Sequence, residues 1–147
     1  CLIRLNYAVD LQYGVLVDIA QKVLAEQPID LAMGYANVIW QGDAVAHIIQ
    51  ALQLTRSPAS VLNVTGPRIL SIREVALQFG RLLGKPVRLT GEEAPTAWLN
   101  NAALAHRLFG RPTVSEDTLM EWVADWVQQG RPTLGKPTHF EVRDGVF

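Results

Sequence analysis

The chain has 147 residues, 49% of them hydrophobic, which suits one domain with a substantial core. Its 13 basic and 14 acidic side chains nearly cancel, leaving no electrostatic footprint for nucleic acid and no basic tract for an anionic membrane. No apolar run reaches the roughly 18 residues of a membrane span and nothing reads as a signal peptide. Cys1 is the single cysteine, so no disulfide, no thiolate metal cluster and a reducing, cytoplasmic location are expected.

Cys1-Leu2-Ile3-Arg4-Leu5 reads as a buried strand already under way, which implies that residues 1–147 form the C-terminal part of a larger α/β protein. Val15 to Leu24 follows as a helix that ends before Pro28. Ile29 to Met33 and Val38-Ile39-Trp40 read as short strands with Gly34 between them. Asp43 stands where an N-cap belongs, and Val45, Ile48, Ile49 and Leu52 recur at helical spacing, which predicts one buried face. His47 falls off that stripe. Val61 to Gly66 reads as a fully buried strand closed by a turn. Asn63-Val64-Thr65 matches a glycosylation sequon, but inside an apolar strand it reads as a chance match.

Ser71-Ile72-Arg73-Glu74 is a capping box, in which the Ser hydroxyl accepts from the amide of Glu74 and Glu74 reaches back. Ile72, Val75, Ala76, Phe79, Leu82 and Leu83 supply the apolar stripe of its helix. Gly84 and Pro86 end it, and Pro86 to Thr90 reads as a strand. Asn100 or Asn101 is expected to cap a helix carrying Leu104 and Leu108 that ends at Gly110. A last helix from Ser115 to Gly130, with Glu116 and Asp117 at its positive end, is expected to bury Leu119, Trp122, Val123, Trp126 and Val127. The tail from Arg131 is rich in turn formers, with a strand possible at His139 to Arg143. Alternating strands and helices predict an α/β architecture with parallel pairing, and the strand set is incomplete for a closed doubly wound sheet.

In this order the elements resemble the C-terminal half of the extended short-chain dehydrogenase/reductase family, the NAD(P)-dependent epimerases and dehydratases. Leu2-Ile3-Arg4-Leu5-Asn6-Tyr7 looks like the family's sixth strand, with Asn6 or Tyr7 at the position of its Asn. Val38-Ile39-Trp40-Gln41-Gly42-Asp43-Ala44 is similar to its short strand and Asp-capped helix. Asn100 to Trp126 resembles its closing pair of helices, and His139 to Gly145 its C-termini. The resemblance implies the C-terminal portion of a Rossmann-type NAD(P)-binding fold with its small α/β substrate-binding subdomain. NAD or NADP would belong to the full-length protein, and no cofactor is expected for this chain alone. The Gly-rich turn and the catalytic Tyr-x-x-x-Lys would lie upstream, because Gly80 to Gly91 lacks the G-x-G-x-x-G spacing and follows a helix. No catalytic residue is therefore assigned within these residues. The resemblance also implies arginines clamping a nucleotide-sugar diphosphate. The matching neighbourhoods read Met33-Gly34-Tyr35-Ala36-Asn37 and Gly91-Glu92-Glu93-Ala94-Pro95, with no arginine and two carboxylates, which argues against such a substrate.

Candidate ligand-binding residues follow from position. Asn6 and Tyr7 end the first strand, where open α/β sheets present ligand groups, and are candidates for both substrate and cofactor contact; ordinary turn chemistry is the competing reading. Tyr13 shares the next loop with Asp10. Trp40 and Gln41 end another strand and would line a substrate cleft, unless Trp40 is core and Gln41 solvated. Asp43 reads as a cap rather than a catalyst. Trp98 lies in a loop, where aromatics meet ligands or pack on a neighbouring helix. His47, His106 and His139 have no carboxylate or Cys at ligand spacing, so no metal site is assigned. Glu92-Glu93 reads as a solvated turn, and Arg68, Arg73, Arg81 and Arg107 as surface charges.

The expected function is the substrate-binding part of an NAD(P)-dependent epimerase, dehydratase or reductase acting on a sugar or other hydroxy compound. Expected partners are a small molecule, such as a sugar derivative, and the N-terminal half or another protomer, with a homodimer as one assembly. The alternative is a non-catalytic Rossmann-like sensor or protein-interaction module.

Overall fold

The computed structural model describes residues 1–143, so Asp144 and Gly145 of the C-terminal resemblance lie outside the described residues. Strand β1 (Leu2–Leu5) pairs in parallel with β6 (Val61–Val64), joining Leu2 to Val61 and Leu5 to Val64. Strand β2 (Ala8–Val9) pairs in parallel with β5 (Ile39–Trp40), and β3 (Pro28–Asp30) with β8 (Arg88–Thr90). The antiparallel pair is β4 (Tyr35–Ala36) with β7 (Leu70–Ser71). Helices α1 (Val15–Leu24), α2 (Gln41–Gln50), α3 (Ile72–Leu83), α4 (Ala103–Phe109) and α5 (Glu116–Gln128) separate them. Parallel partners far apart in sequence need crossovers, and the helices supply them.

Helices α1, α3 and α5 pack on one another around the larger core, where Leu16, Ile19, Phe79, Leu119 and Val123 are almost fully buried. Each such side chain stabilises the fold by about 1.5–3 kcal/mol. A smaller core joins Leu62 and Val64 of β6 to Ile39, Ala44, Ala51 and Ala105. Local signals explain the helix ends. Ser71 Oγ accepts from the Glu74 amide at 3.3 Å, and Gly84 closes α3 in the left-handed conformation at φ 63°. Ser115 Oγ accepts from the Thr118 amide at 3.1 Å at the start of α5.

Several expectations are corrected. Strand β1 is not buried: Leu2 and Leu5 are 60% and 47% exposed, because β1 has β6 on one side and no strand on the other among the described residues. Val61 of β6 is likewise exposed, so that strand is buried on one face only. The return bond from Glu74 is not made, and Ser71 belongs instead to the β4–β7 ladder. Strands β3, β5 and β8 are shorter than read, and β2, β4 and β7 were too short for periodicity to reveal. Ala102, not an asparagine, holds the N-cap position of α4, although Asn101 Oδ1 accepts from the Ala103 amide at 2.9 Å. Trp122 is 41% exposed, and Trp126 is half-buried with its Nε1 donating to the Pro132 carbonyl. Residues 139–143 form no strand. The tail runs over α1, where Asp18 accepts from the amide and hydroxyl of Thr138 and Lys22 pairs with Glu141.

The largest correction concerns α2. It begins at Gln41 with no side-chain cap, and Asp43 sits in its first turn facing inward. Its carboxylate accepts from Thr113 Oγ1 at 2.8 Å and the Val114 amide at 3.0 Å, which ties the α4–α5 connection to α2. The buried face of α2 is Asp43, Ala44 and His47. Val45, Ile49 and Leu52 are 47%, 61% and 67% exposed. The helix therefore turns its apolar stripe outward.

His47 is 4% exposed against His106 and Phe109, and its Nδ1 has no hydrogen-bond partner. Burial, then the His106 charge, push its pKa below the ordinary value; Asp43 and the Gly110 carbonyl oppose this less strongly. Above the ordinary value of 6.5 the ring is neutral in both states and carries no penalty. As pH falls below that value the unfolded chain takes up a proton that the folded chain resists. The thermal midpoint should thus drop between about pH 7 and about pH 5. His47→Gln should flatten that drop, and an equally steep profile in the variant would refute this role.

Candidate functional site

The carboxyl ends of β1 and β6 meet the loop before α4 through a network of asparagines. The chain leaves β1 with the Asn6 amide donating to the Val64 carbonyl at 3.1 Å, which extends the ladder by one residue. Asn6 Nδ2 then donates to Asn37 Oδ1 at 2.8 Å and to the Trp98 carbonyl at 3.3 Å. Asn37 is almost fully buried. Its Nδ2 donates to the Asn100 carbonyl at 2.7 Å, and its Oδ1 also accepts from the Asn100 amide at 3.3 Å. Asn100 Nδ2 returns to the Arg4 carbonyl at 3.2 Å. Thr65 Oγ1 donates to the Asn37 carbonyl, and His106 Nε2 lies 3.0 Å from the Thr65 carbonyl. Facing a carbonyl, Nε2 must carry the hydrogen, which leaves Nδ1 as the acceptor of the neutral ring.

Gly66 ends β6 so close to β5's approach that a Cβ would lie 2.0 Å from the Val38 carbonyl oxygen. A glycine is required there, and it lets the 66–69 turn pass tightly over the Asn37 backbone. Beside it opens a cleft of about 510 Å³, walled by Pro67, Ile69, Asn100 and Asn101 and rimmed by His106 and Arg111. That volume lies within the range of small-molecule sites, and the position matches where open α/β sheets bind ligands.

The six sequence-derived candidates are distributed unevenly around this junction. Asn6 and the Trp98 backbone are joined in it, with Trp98 as a residue 49% exposed. Tyr7 is half-buried at φ 41°, with its carbonyl accepting from the Ile39 amide, and burial then the Glu141 charge raise its hydroxyl pKa. Trp40 lies edge-on to Trp122 at 5.8 Å, on the α5 side. Gln41 is exposed at the first position of α2. Tyr13 closes a turn in which Asp10 Oδ1 accepts from the Gln12 and Tyr13 amides, both at 2.7 Å. Asp10 is thus a turn former. Asn37, Asn100 and Arg111 are not among the sequence-derived site candidates, and sequence offers Asn100 only as a helix cap. A run of asparagines before a helix signals a cap, and only the fold shows that Asn37 reaches Asn100.

The acidic loop behaves differently from the solvated turn expected. Glu93 packs against Gly34, where a Cβ would stand 2.7 Å from its Cγ, and Arg73 pairs with it bidentately at 2.7 and 3.0 Å. The Arg73 side chain holds the Glu93 carboxyl below the usual carboxylate range. Arg68 likewise pairs with Asp117 at 2.7 Å, so neither arginine is an isolated surface charge. Among the described residues no group of three or more His, Cys, Asp or Glu side chains gathers as a metal would need, and no helix is long and apolar enough to cross a membrane. Nor do they contain a glycine-rich strand-to-helix turn.

Parallel strands joined by helical crossovers, with a polar cleft at their carboxyl ends, define a portion of a Rossmann-type α/β fold. Solved structures of NAD-dependent sugar epimerases and dehydratases share it. UDP-glucuronic acid 4-epimerase from Bacillus cereus, in complex with NAD, superposes with a TM-score of 0.68 at 17% identity, over 86% of this chain and 43% of that one. dTDP-glucose 4,6-dehydratase from Bacillus anthracis, also with NAD, gives 0.66 at 18% identity, over 86% and 44%. RMD from Pseudomonas aeruginosa, complexed with NADPH, gives 0.64 at 13% identity, over 86% and 48%. The chain therefore spans less than half the length of these structures, and at such identities the likeness is one of fold. No protein-family model matches the chain, and no curated protein matches it in sequence.

Proposed function

We propose that this chain is the C-terminal, substrate-binding part of an NAD(P)-dependent epimerase, dehydratase or reductase. The complete protein passes a hydride between the nicotinamide and a hydroxyl-bearing carbon of a sugar or related hydroxy compound. The observation that carries this reading is the asparagine junction at the carboxyl ends of β1 and β6. It fixes Asn6 and the Trp98–Asn100 loop beside a cleft of ligand size. Asn6 Oδ1 accepts no hydrogen bond among the described residues and can take one from a ligand hydroxyl or carboxamide. Tyr7, Tyr13, Trp40, Gln41 and Trp98 remain candidates for substrate contact in the complete protein, although none of them lines this cleft. NAD or NADP is held by polypeptide preceding β1, which also carries the proton-transferring residues. The open edge of β1 and the outward stripe of α2 fit burial against that polypeptide or against a second protomer. The balanced charge and single cysteine suit a cytoplasmic enzyme.

The test is steady-state kinetics of the full-length protein, with hydride transfer followed by nicotinamide absorbance against a panel of polyols and sugars. Asn6→Ala should lower kcat/KM about tenfold, equivalent to about 1.4 kcal/mol. A full-length protein that binds the cofactor but transfers hydride to or from no hydroxy compound would overturn the reading.

A further inference from the structure

Resting on that reading, and narrowing its substrate class, we propose that the cleft beside Asn37 binds a polyhydroxylated monocarboxylate, with Arg111 as the counter-ion of the carboxylate. Arg111 makes no ion pair or hydrogen bond among the described residues, while Arg68 and Arg73 are both committed to carboxylates. It stands at the rim of the cleft, in the turn that follows α4. A guanidinium takes a carboxylate through two parallel hydrogen bonds, a geometry no neutral sugar offers.

The remaining unused groups are those that recognise hydroxyls. Asn101 Oδ1 is taken by the Ala103 amide, so its Nδ2 is left as a donor. Asn100 Nδ2 is taken by the Arg4 carbonyl, so its Oδ1 is left as an acceptor. His106 Nε2 is held at the Thr65 carbonyl, so Nδ1 is an acceptor as well. One donor and two acceptors are thus fixed in orientation by bonds made behind them, with one cation at the rim. Such a set is complementary to several hydroxyls and a single negative charge.

The charge count sets the class. Among the described residues, Arg111 is the one permanent charge lining this cleft. Glu116, in the groove that Arg111 also borders, is buried with Oε1 accepting from the Arg68 amide. A diphosphate would bring a second negative charge with no cation to meet it. Sorbitol and similar neutral polyols would leave Arg111 unused.

The experiment is a titration of the chain with D-gluconate, sorbitol and inorganic phosphate, followed by the NMR signals of His106 and the Asn100 and Asn101 side-chain amides. Gluconate and sorbitol differ chiefly in the carboxylate. Gluconate should shift these signals and bind at least about tenfold more tightly than sorbitol. Arg111→Gln should reduce gluconate to the sorbitol level, while Arg111→Lys, which keeps the charge but loses the bidentate fork, should fall between the two. Equal binding of sorbitol, an unaffected Arg111→Gln variant, or phosphate binding as tightly as gluconate would each overturn the proposal. Arg111 is exposed, so unchanged thermal midpoints will show that both variants fold. Binding needs no nicotinamide, so a full-length protein without hydride transfer would leave this result standing. Failure here would equally leave hydride transfer to an uncharged substrate intact.

Discussion

Asn37→Leu is expected to destabilise the chain by about 3 kcal/mol, a shift of roughly 10 °C in the thermal midpoint. Leucine matches asparagine in size but removes the partner of the Asn100 amide and the Asn100 carbonyl, and leaves Asn6 Nδ2 with the Trp98 carbonyl alone. These groups are half-buried, so solvent replaces the lost bonds only in part. Asn37→Asp separates the contributions. Its oxygens can still accept from Asn6 and the Asn100 amide, but the donor to the Asn100 carbonyl is lost and a buried charge faces that oxygen. About 2 kcal/mol is expected there, growing as pH rises through the carboxyl range. Denaturant unfolding of the three proteins decides the matter. A loss under about 1 kcal/mol for Asn37→Leu would show that the network is ornamental to the fold.

The second large effect is expected on assembly rather than stability. Val45 and Ile49 lie at i and i+4 on α2, Leu52 lies in the 3-10 turn that follows it, and all three are exposed. Leu2 and Leu5 are also exposed, on a strand whose outer edge is unpaired among the described residues. Burying such side chains is worth about 25 cal/mol per Å² of apolar surface, so several together supply a large part of an interface. Val45→Glu combined with Ile49→Lys removes the stripe and places a favourable Glu–Lys pair on the helix surface. The variant should unfold within about 0.5 kcal/mol of the parent, because neither residue belongs to the described cores. Its self-association, or its union with the preceding polypeptide, should be lost.

What sequence made legible follows from the range of the forces involved. The bounds of α1, the Ser71 and Ser115 caps and the Gly84 stop are set by residues within one helical turn, and periodicity recovered them. The face of α2 is not local. Spacing alone predicts its apolar stripe to face inward, yet the inner neighbours, Thr113 and Val114, take the Asp43 carboxylate, and His106 takes the ring of His47. The same logic expects Trp122 in the core, and it is half out. Both errors share a cause: apolar spacing says that a face will be covered, not by what. At the site, Asn6 was visible as the end of a strand. Asn37 and Asn100, 63 residues apart, become a site only after β1 and β6 pair, and no window of sequence contains both.

The most direct measurement is reconstitution: this chain, as wild type and as Val45→Glu/Ile49→Lys, expressed together with the polypeptide encoded ahead of it. The wild type is predicted to form a stable complex that binds a nicotinamide cofactor and transfers hydride, while the chain alone does neither and the variant fails to assemble. A wild-type chain that stays apart from the preceding polypeptide, or a complex that shows no affinity for either nicotinamide dinucleotide, would contradict the account.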